Sequence, residues 1–332
     1  MESKRRFLCL FFFGIFGCVV IAFLSLIFGS VKISPSELFS AVTGGGEKVI
    51  KNILLYSRLP RVIAAFLSGA ALASSGAVLQ QVLANKLASP SIIGVNAGAG
   101  LGVTISCALG MISGIFVSIA AFWGSLISVL IISVFSRKAF ASRTAVILGG
   151  VALNGIFGAL SESVAVLDAD IAMLTTEFRV GGFSSVSYTR LIPAGIMIIV
   201  SLILLFTLCN ELDVLSLGEE TAKSLGMSVR RYRILFLILS ALLAGAAVSF
   251  SGLLGFIGLI VPHFVRRLVG SESRRLMPLT VVFGAGFVCA SDLISRVLFA
   301  PYELPVGMLL SLIGGPVFVW VLVRTKGEDH YA

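Results

Sequence analysis

Apolar runs of roughly 18 to 25 residues, separated by short polar interruptions, recur from one end of the chain to the other, and each is long enough to cross a hydrocarbon core about 30 Å thick as a helix. The pattern predicts spans at about 7–29, 59–79, 92–111, 115–136, 144–166, 191–209, 233–250, 253–270, 276–298 and 304–324. The expected fold class is therefore an all-α polytopic membrane protein of about ten transmembrane helices, with residues 1–332 forming one domain. Met1–Arg6 followed by the apolar run Phe7–Phe28 has the charge order of a signal peptide. The run is too long for a typical h-region and lacks a small-residue cleavage site, so a retained first span is expected.

Composition sharpens this reading. Hydrophobic residues make up 58% of the chain, charged residues only 12%, and the mean hydropathy is +1.07; soluble domains carry about 25% charged residues. A water-soluble fold is excluded on these grounds. The net charge of +9 does not point to nucleic acid, because the basic residues sit in short clusters between apolar runs and form no continuous face. Most of the 25 Lys and Arg fall on one side of the alternating spans, leaving Lys32, Lys48, Lys51, Arg58, Arg61, Arg179, Arg190 and Arg296 on the other. An excess of basic residues marks the cytoplasmic side, so both termini are expected in the cytoplasm. The five cysteines lie in apolar runs with no C-x-x-C or Cys/His spacing, and read as small buried hydrophobes.

Small residues are placed for close helix contacts. Gly94, Gly98 and Gly102 repeat every four residues in the third span, Gly69, Ala73 and Ala77 do so in the second, and Gly252, Gly255 and Gly258 recur near the eighth. Without a hydrophobic force between helices in lipid, such positions let backbones approach and pack.

The polar interruption Glu211–Arg233, part of a segment at about 210–233, has helical signals of its own. Gly218 breaks it, Glu219 precedes Lys223 by four residues as a favourable helix pair, and Gly226 supplies a stop. Two short helices joined at glycines are expected along the cytoplasmic face. Within it, G-E-E-T-A-K-S at Gly218–Ser224 falls short of the phosphate-binding G-x-x-x-x-G-K-S/T: Ala222 stands at the required second glycine, only three residues after Gly218 intervene, and the string follows no strand signal. Nucleotide binding is not expected there.

Ionisable residues at membrane depth are functional candidates by default, and here they are Glu162 and Asp292. Asp292 stands four residues before Arg296, so an intrahelical ion pair is expected; Glu162 reads equally as lining a pathway or as sitting near the outer water interface. His263 follows Pro262 and reads as helix geometry or packing, since no second ligand lies at metal-binding spacing.

Several stretches together resemble the FecCD-type permeases of ABC importers for iron-siderophores, haem and cobalamin. They are R-L-P-R at Arg58–Arg61, S-G-A-A-L-A-S-S-G-A-V-L-Q-Q at Ser68–Gln81, Asn85 with Leu87 and Pro90, G-V-N-A-G-A-G at Gly94–Gly100, and G-G-F at Gly181–Phe183. L-G-E-E-T-A-K-S-L-G at Leu217–Gly226, G-F-I-G-L-I-V-P-H-F-V-R-R at Gly255–Arg267, D-L-I-S-R at Asp292–Arg296, E-L-P-V-G and G-G-P-V-F complete the set. The resemblance runs from about Arg58 to Arg324. It implies a type II ABC importer permease fold and a multi-pass protein of a prokaryotic cytoplasmic membrane. It also implies pairing with a second permease copy or a close paralogue, two cytoplasmic ATPase subunits that bind the ATP, and an extracytoplasmic substrate-binding protein. No catalytic residue, cofactor or metal site is expected in this chain.

Carried over residue by residue, the resemblance makes Leu217, Gly218, Glu219, Glu220, Lys223, Leu225, Gly226, Arg230 and Arg231 the contact with the ATPase. It makes Arg58, Arg61 and Arg296 docking positions for carboxylates of the binding protein; the residues alone also allow snorkelling at the interface. Asn85 and Leu87 resemble a cytoplasmic gate, with a plain capping role open for Asn85. Glu162, Asp168 and Asp170 fall near the outer constriction, where two acidic residues depart from the hydroxyl residues of cobalamin permeases. The expected cargo is a metal chelate, most readily a ferric siderophore, with haem and cobalamin as alternatives. The competing classes are an ion-coupled secondary transporter using Glu162 or Asp292 as a proton site, and a membrane enzyme, for which no constellation is found.

Overall fold

In the computed structural model, which describes residues 2–29, 33–43, 47–138, 143–298, 300 and 302–328, the described residues are helical with no strand. Lys32, one of the basic residues placed on the outer side, lies outside them. The long helices are α1 (Glu2–Ile27), α4 (Leu59–Val82), α6 (Gly114–Lys138), α7 (Arg143–Leu167), α9 (Tyr188–Thr207), α12 (Val229–Ser251), α14 (Ser273–Val297) and α15 (Val306–Glu328). Shorter ones are α2 (Pro35–Thr43), α3 (Lys48–Ile53), α5 (Val95–Ala108), α8 (Ala169–Val180), α10 (Cys209–Ser216), α11 (Glu219–Ser224) and α13 (Ile257–Val269).

Every expected span coincides with a helix, but α5 and α13 stop at 14 and 13 residues, short of the roughly 20 that a straight crossing needs. Both begin after an irregular stretch, Asn85–Gly94 and Gly252–Phe256. Non-helical backbone at such depth is tolerated where protein covers it. Helix α8 is not marked by its sequence as a separate element.

α4 and α12 form the buried centre, with α14, α5 and α6 packed around them, whereas α1 and α7 lie at the periphery. Small residues set the close approaches: a Cβ on Gly69 of α4 would meet Gly284 O of α14 at 2.2 Å, and one on Gly98 of α5 would meet Gly124 O of α6 at 2.3 Å. Ser75 and Ser240 join α4 to α12: their hydroxyls lie 2.6 Å apart and each is within hydrogen-bond distance of the other residue's carbonyl, so their two protons are shared among these acceptors. In lipid, van der Waals packing and interhelical polar pairs of this kind hold helices together.

Two of the expected glycine stripes need adjustment. Gly94 precedes α5 at φ +85° yet still approaches α6, where a Cβ would meet Ser128 Oγ at 2.6 Å, while Gly98 and Gly102 act from the helix face. Gly252 ends α12 and packs on α8, where a Cβ would meet Phe178 O at 2.5 Å, Gly258 packs against Gly76, and only Gly255 of the three faces open space.

Proline shapes the outer entry to α4. Pro60 has no N–H to offer the Tyr56 carbonyl, and Leu54–Arg58 widens into a π-turn in which the Leu59 N–H reaches back to Leu54 O. The extra residue turns Arg58 into the protein, where it is buried.

Candidate functional site

The polar residues of the chain gather at the two ends of this helix bundle. At the end where α1 finishes and α4 begins, Asp292 of α14 is almost fully buried and accepts from Arg61 Nε and Nη2 at 3.1 and 3.0 Å, and pairs with Arg296 Nε at 3.1 Å. Arg61 Nη1 also reaches Glu303 at 2.7 Å. The expected Asp292–Arg296 pair is thus present, as one edge of a larger cluster that joins α4, α14 and the segment before α15.

Arg58 and Arg296 close the end of α1. Arg58 donates to Ile27 O at 2.8 Å and to Leu26 O; Arg296 donates to Phe28 O at 3.2 Å and to Ser25 Oγ. The last carbonyls of a helix lack intrahelical donors, and cationic side chains there meet both the hydrogen-bond deficit and the helix dipole. This places Arg58 and Arg296, both about 95% or more buried, inside the protein as caps and counter-ions, not as arms held out to a partner. Arg61 alone of the three borders an open cavity, of about 740 Å³, which Glu177, Phe183, Arg190 and Glu303 also line. Among the described residues, the exposed basic side chains at this end are Lys48, Lys51 and Arg179.

The G-G-F stretch locks the same end together. Gly182 N donates to Ser251 O at 2.8 Å and Leu253 N to Phe178 O at 3.0 Å, tying α8 to the end of α12. A Cβ on Gly307, at the start of α15, would meet Val180 O at 2.0 Å. Phe183 fills the core between them.

Of the residues expected at the outer constriction, Asp168 is the N-cap of α8, accepting from Asp170 N at 2.9 Å and Ile171 N at 3.4 Å. Asp170 sits in the first turn of α8, where a carboxylate favours the helix dipole. Glu162 is exposed on α7, whose outward face also carries Leu148, Val151, Ile156 and Leu160.

At the opposite end, the two short helices form as expected. α10 and α11 meet at Leu217–Gly218, and Gly226, at φ +79°, ends α11 while Met227 N bonds Ala222 O at 3.0 Å. Ala222 is the buried foot of α11. Leu217 and Leu225, each 63% exposed, stand at its two ends, and Glu220, Lys223, Arg230 and Arg231 are exposed around them. Glu219 is clamped by Lys223 at 3.0 Å and by Arg233 of α12 at 3.1 Å. Those two cationic partners hold its carboxyl below the ordinary carboxylate range. The P-loop-like string is therefore an exposed helix with no strand before it.

Residues that local pattern could not pair connect this segment to the spans. Asp213 of α10 accepts from Ser273 N, at the start of α14, at 2.9 Å; Ser273 Oγ donates to Gln81 Oε1 of α4 at 2.8 Å. Next to it, Arg266 of α13 donates to Gln80 Oε1 at 2.8 Å, and Gln80 Nε2 donates to Gly258 O at 3.0 Å. The turn after α4 follows immediately: Ala84 takes φ +44°, Asn85 Oδ1 accepts from Leu87 N at 2.8 Å, and Asn85 O accepts from Ala88 N. Asn85 is thus a turn cap, and Leu87 is partly exposed beside it. Among the described residues, no group of His, Cys, Asp and Glu is placed to hold a metal.

Comparison with known proteins agrees with this arrangement. The chain is 34% identical over 316 residues to the hemin transport system permease protein HmuU of Yersinia pestis, covering 93% of this chain and 94% of that one. It is 37% identical over 292 residues to an ABC transporter permease protein of Bacillus subtilis, YvrB, covering 86% and 83%. A solved structure described as an inward-facing conformation of a metal-chelate type ABC transporter superposes with TM-score 0.85 at 29% identity, over 95% of this chain and 98% of that one. The chain is thus a membrane-embedded ABC transporter permease and not an enzyme. The model of the FecCD transport family matches residues 17–324, and the chain belongs to that family.

Proposed function

We propose that this chain is one half of the membrane pathway of an ATP-driven importer for a metal chelate, pairing with a second permease copy and working with two cytoplasmic ATPase subunits and an outer substrate-binding protein. The observation that carries the reading is α11. It is a one-and-a-half-turn helix whose two exposed leucines are unsupported by the rest of the chain, while its base is fixed by Ala222 and by the Glu219–Arg233 pair. Such an element suits transmission of a partner's closure as a rigid-body movement.

The movement has a route. A push on α10–α11 acts on the start of α14 through Asp213 and Ser273, on α4 through Gln81, and so on the Asn85–Leu87 turn that forms the inner gate. ATP binding in the partner shifts the inward–outward equilibrium only as far as it favours one state, so these bonds must survive the switch or change partners in it. α7, peripheral yet bearing Glu162 on an apolar outward face, supplies the surface facing the second copy and the pathway; a carboxylate turned to lipid would be costly. The α10–α11 end lies in the cytoplasm, as do both termini, because the basic clusters converge on it.

For the cargo, haem is favoured over the siderophore that the motifs alone suggested, because the similar Yersinia pestis permease is a hemin transporter and the Staphylococcus aureus relative IsdF, 34% identical over 326 residues, is a probable heme-iron permease. Docking of the binding protein falls to the exposed Lys48, Lys51 and Arg179, with Arg61–Glu303 at the cavity mouth. Ion coupling through Asp292 is disfavoured, since that carboxylate is engaged by Arg61 and Arg296. ATP-dependent uptake of haem, a ferric siderophore and cobalamin, measured in vesicles with the cognate ATPase and binding protein, tests both parts. Uptake of haem is expected; equal uptake of all three, or of a siderophore alone, overturns the cargo assignment.

A further inference from the structure

A second basic site lies at the α10–α11 end, away from the coupling helices. The start of α1 and the end of α13 enclose a crevice of about 880 Å³ lined by Arg5, Arg6, Arg266 and Arg267, together with Cys9 and Leu268–Gly270. Among the described residues that line it, none carries a carboxylate. Arg266 is fixed in place by its bond to Gln80 Oε1 at 2.8 Å, and a guanidinium has five N–H donors in a planar fork, so that bond leaves donors for a second acceptor. Four arginines lining one crevice from two helices suit an oxyanion with several acceptor oxygens, such as a phosphate group.

The surroundings indicate where the phosphate comes from. On a 3.6-residue helix, Arg5, Arg6, Cys9, Phe12, Phe13 and Phe16 share one face of α1. Phe12, Phe13 and Phe16 are each more than 60% exposed, while the opposite face packs on α14 through Gly14 and the Cys18 Sγ–Val282 O contact at 3.3 Å. The same face is thus cationic at its first turn and aromatic for the next two. A soluble anion would use only the first part; an amphiphile uses both. Basic pockets between membrane helices at the cytoplasmic surface are suited to anionic lipid head groups.

We propose that this crevice binds the phosphate head group of an anionic phospholipid, with its acyl chains lying along the phenylalanine face of α1. Seated there, the lipid bridges α1 to α13, whose Arg266 meets the Gln80 side of the gate turn. The reading does not depend on the cargo or on the ATPase partner.

The test uses the full-length protein, delipidated in a zwitterionic detergent and titrated with phosphatidylglycerol or phosphatidylcholine, with bound lipid counted by native mass spectrometry. Wild type is expected to retain phosphatidylglycerol at least tenfold more tightly than phosphatidylcholine. The preference should vanish in R5Q/R267Q and persist largely in R5K/R267K. Millimolar inorganic phosphate should not displace the lipid. Equal retention by wild type and R5Q/R267Q overturns the site, and full competition by inorganic phosphate makes it a free-anion site and overturns the lipid assignment. A measurement on unaltered protein guards against misfolding of the variants. Alkylation of the exposed Cys9, followed by peptide mapping, should slow several-fold in phosphatidylglycerol relative to phosphatidylcholine, and an unchanged rate contradicts the proposal.

Discussion

Replacing Asp292 with Asn keeps shape and removes one charge from the outer cluster. In the wild type this carboxylate meets Arg61 at 3.0 Å and Arg296 at 3.1 Å, and its side chain is 1% exposed. Arg61 retains Glu303 at 2.7 Å after the change, but Arg296, 3% exposed, is left with neutral acceptors only. Breaking a buried pair by removing one partner costs about 3–5 kcal/mol, because the other charge stays buried without compensation. The carbonyls of Ser25 and Phe28 soften the loss, so D292N should cost about 3 kcal/mol. Adding R296M removes the stranded charge. The double variant should therefore be less destabilised than the sum of the singles by about 1 kcal/mol or more, within the usual coupling for contacting residues. Reversible unfolding in bicelles or by graded SDS addition, with helicity as the signal, reads these differences. A loss under about 1 kcal/mol for D292N, or strict additivity with R296M, would refute the assignment of Asp292 as the counter-ion that holds α4 and α14 together.

Other outcomes follow from the same geometry. D213A should leave folding intact and ATP hydrolysis active while lowering transport per ATP several-fold, because α10 loses its grip on Ser273; unchanged stoichiometry of transport to hydrolysis counts against the route. A bulky side chain at Gly218 should likewise uncouple hydrolysis from transport, as measured in proteoliposomes. G69L would drive a side chain into the Gly284 carbonyl, 2.2 Å from the Cβ position, and should destabilise by about 1–3 kcal/mol or more through overpacking, seen as a fall in the thermal midpoint. The Lys223 and Arg233 contacts lower the Glu219 pKa on folding, so their stabilisation is complete above the unfolded carboxylate value of about 4.3 and is lost as pH falls through the lower folded value. Half-exposed pairs contribute at most about 1 kcal/mol. Coupled transport should thus be flat across neutral pH, and E219Q should reproduce at neutral pH the weakening that acid produces in the wild type.

Much of the fold could be read from local pattern because the membrane enforces it: each span must satisfy its own backbone, so an apolar run of sufficient length becomes a helix. α11 was legible for a similar reason, since Gly218, the Glu219–Lys223 spacing and Gly226 are all local signals. Where the pattern failed, the determinant was distant in sequence. Arg61 and Glu303 are 242 residues apart, and Asp213 and Ser273 are 60 apart; no periodicity reveals either pair. The resemblance implied docking for Arg58 and Arg296, yet here the open carbonyls at the end of α1 draw them inward. Gly94 matched a packing stripe and does approach Ser128 of α6, but it also makes a left-handed turn, which spacing alone does not reveal. α8 was hidden because its run continues that of α7 and only Asp168 marks the break.

The most direct test of the coupling role is haem uptake into proteoliposomes holding the permease, its ATPase and the binding protein, compared with L217D/L225D, which changes only the exposed ends of α11. ATP-dependent uptake in the wild type, and its loss in the variant with ATPase binding weakened at least tenfold, is expected. Uptake that persists in the variant, or that runs on an ion gradient without ATP, contradicts it.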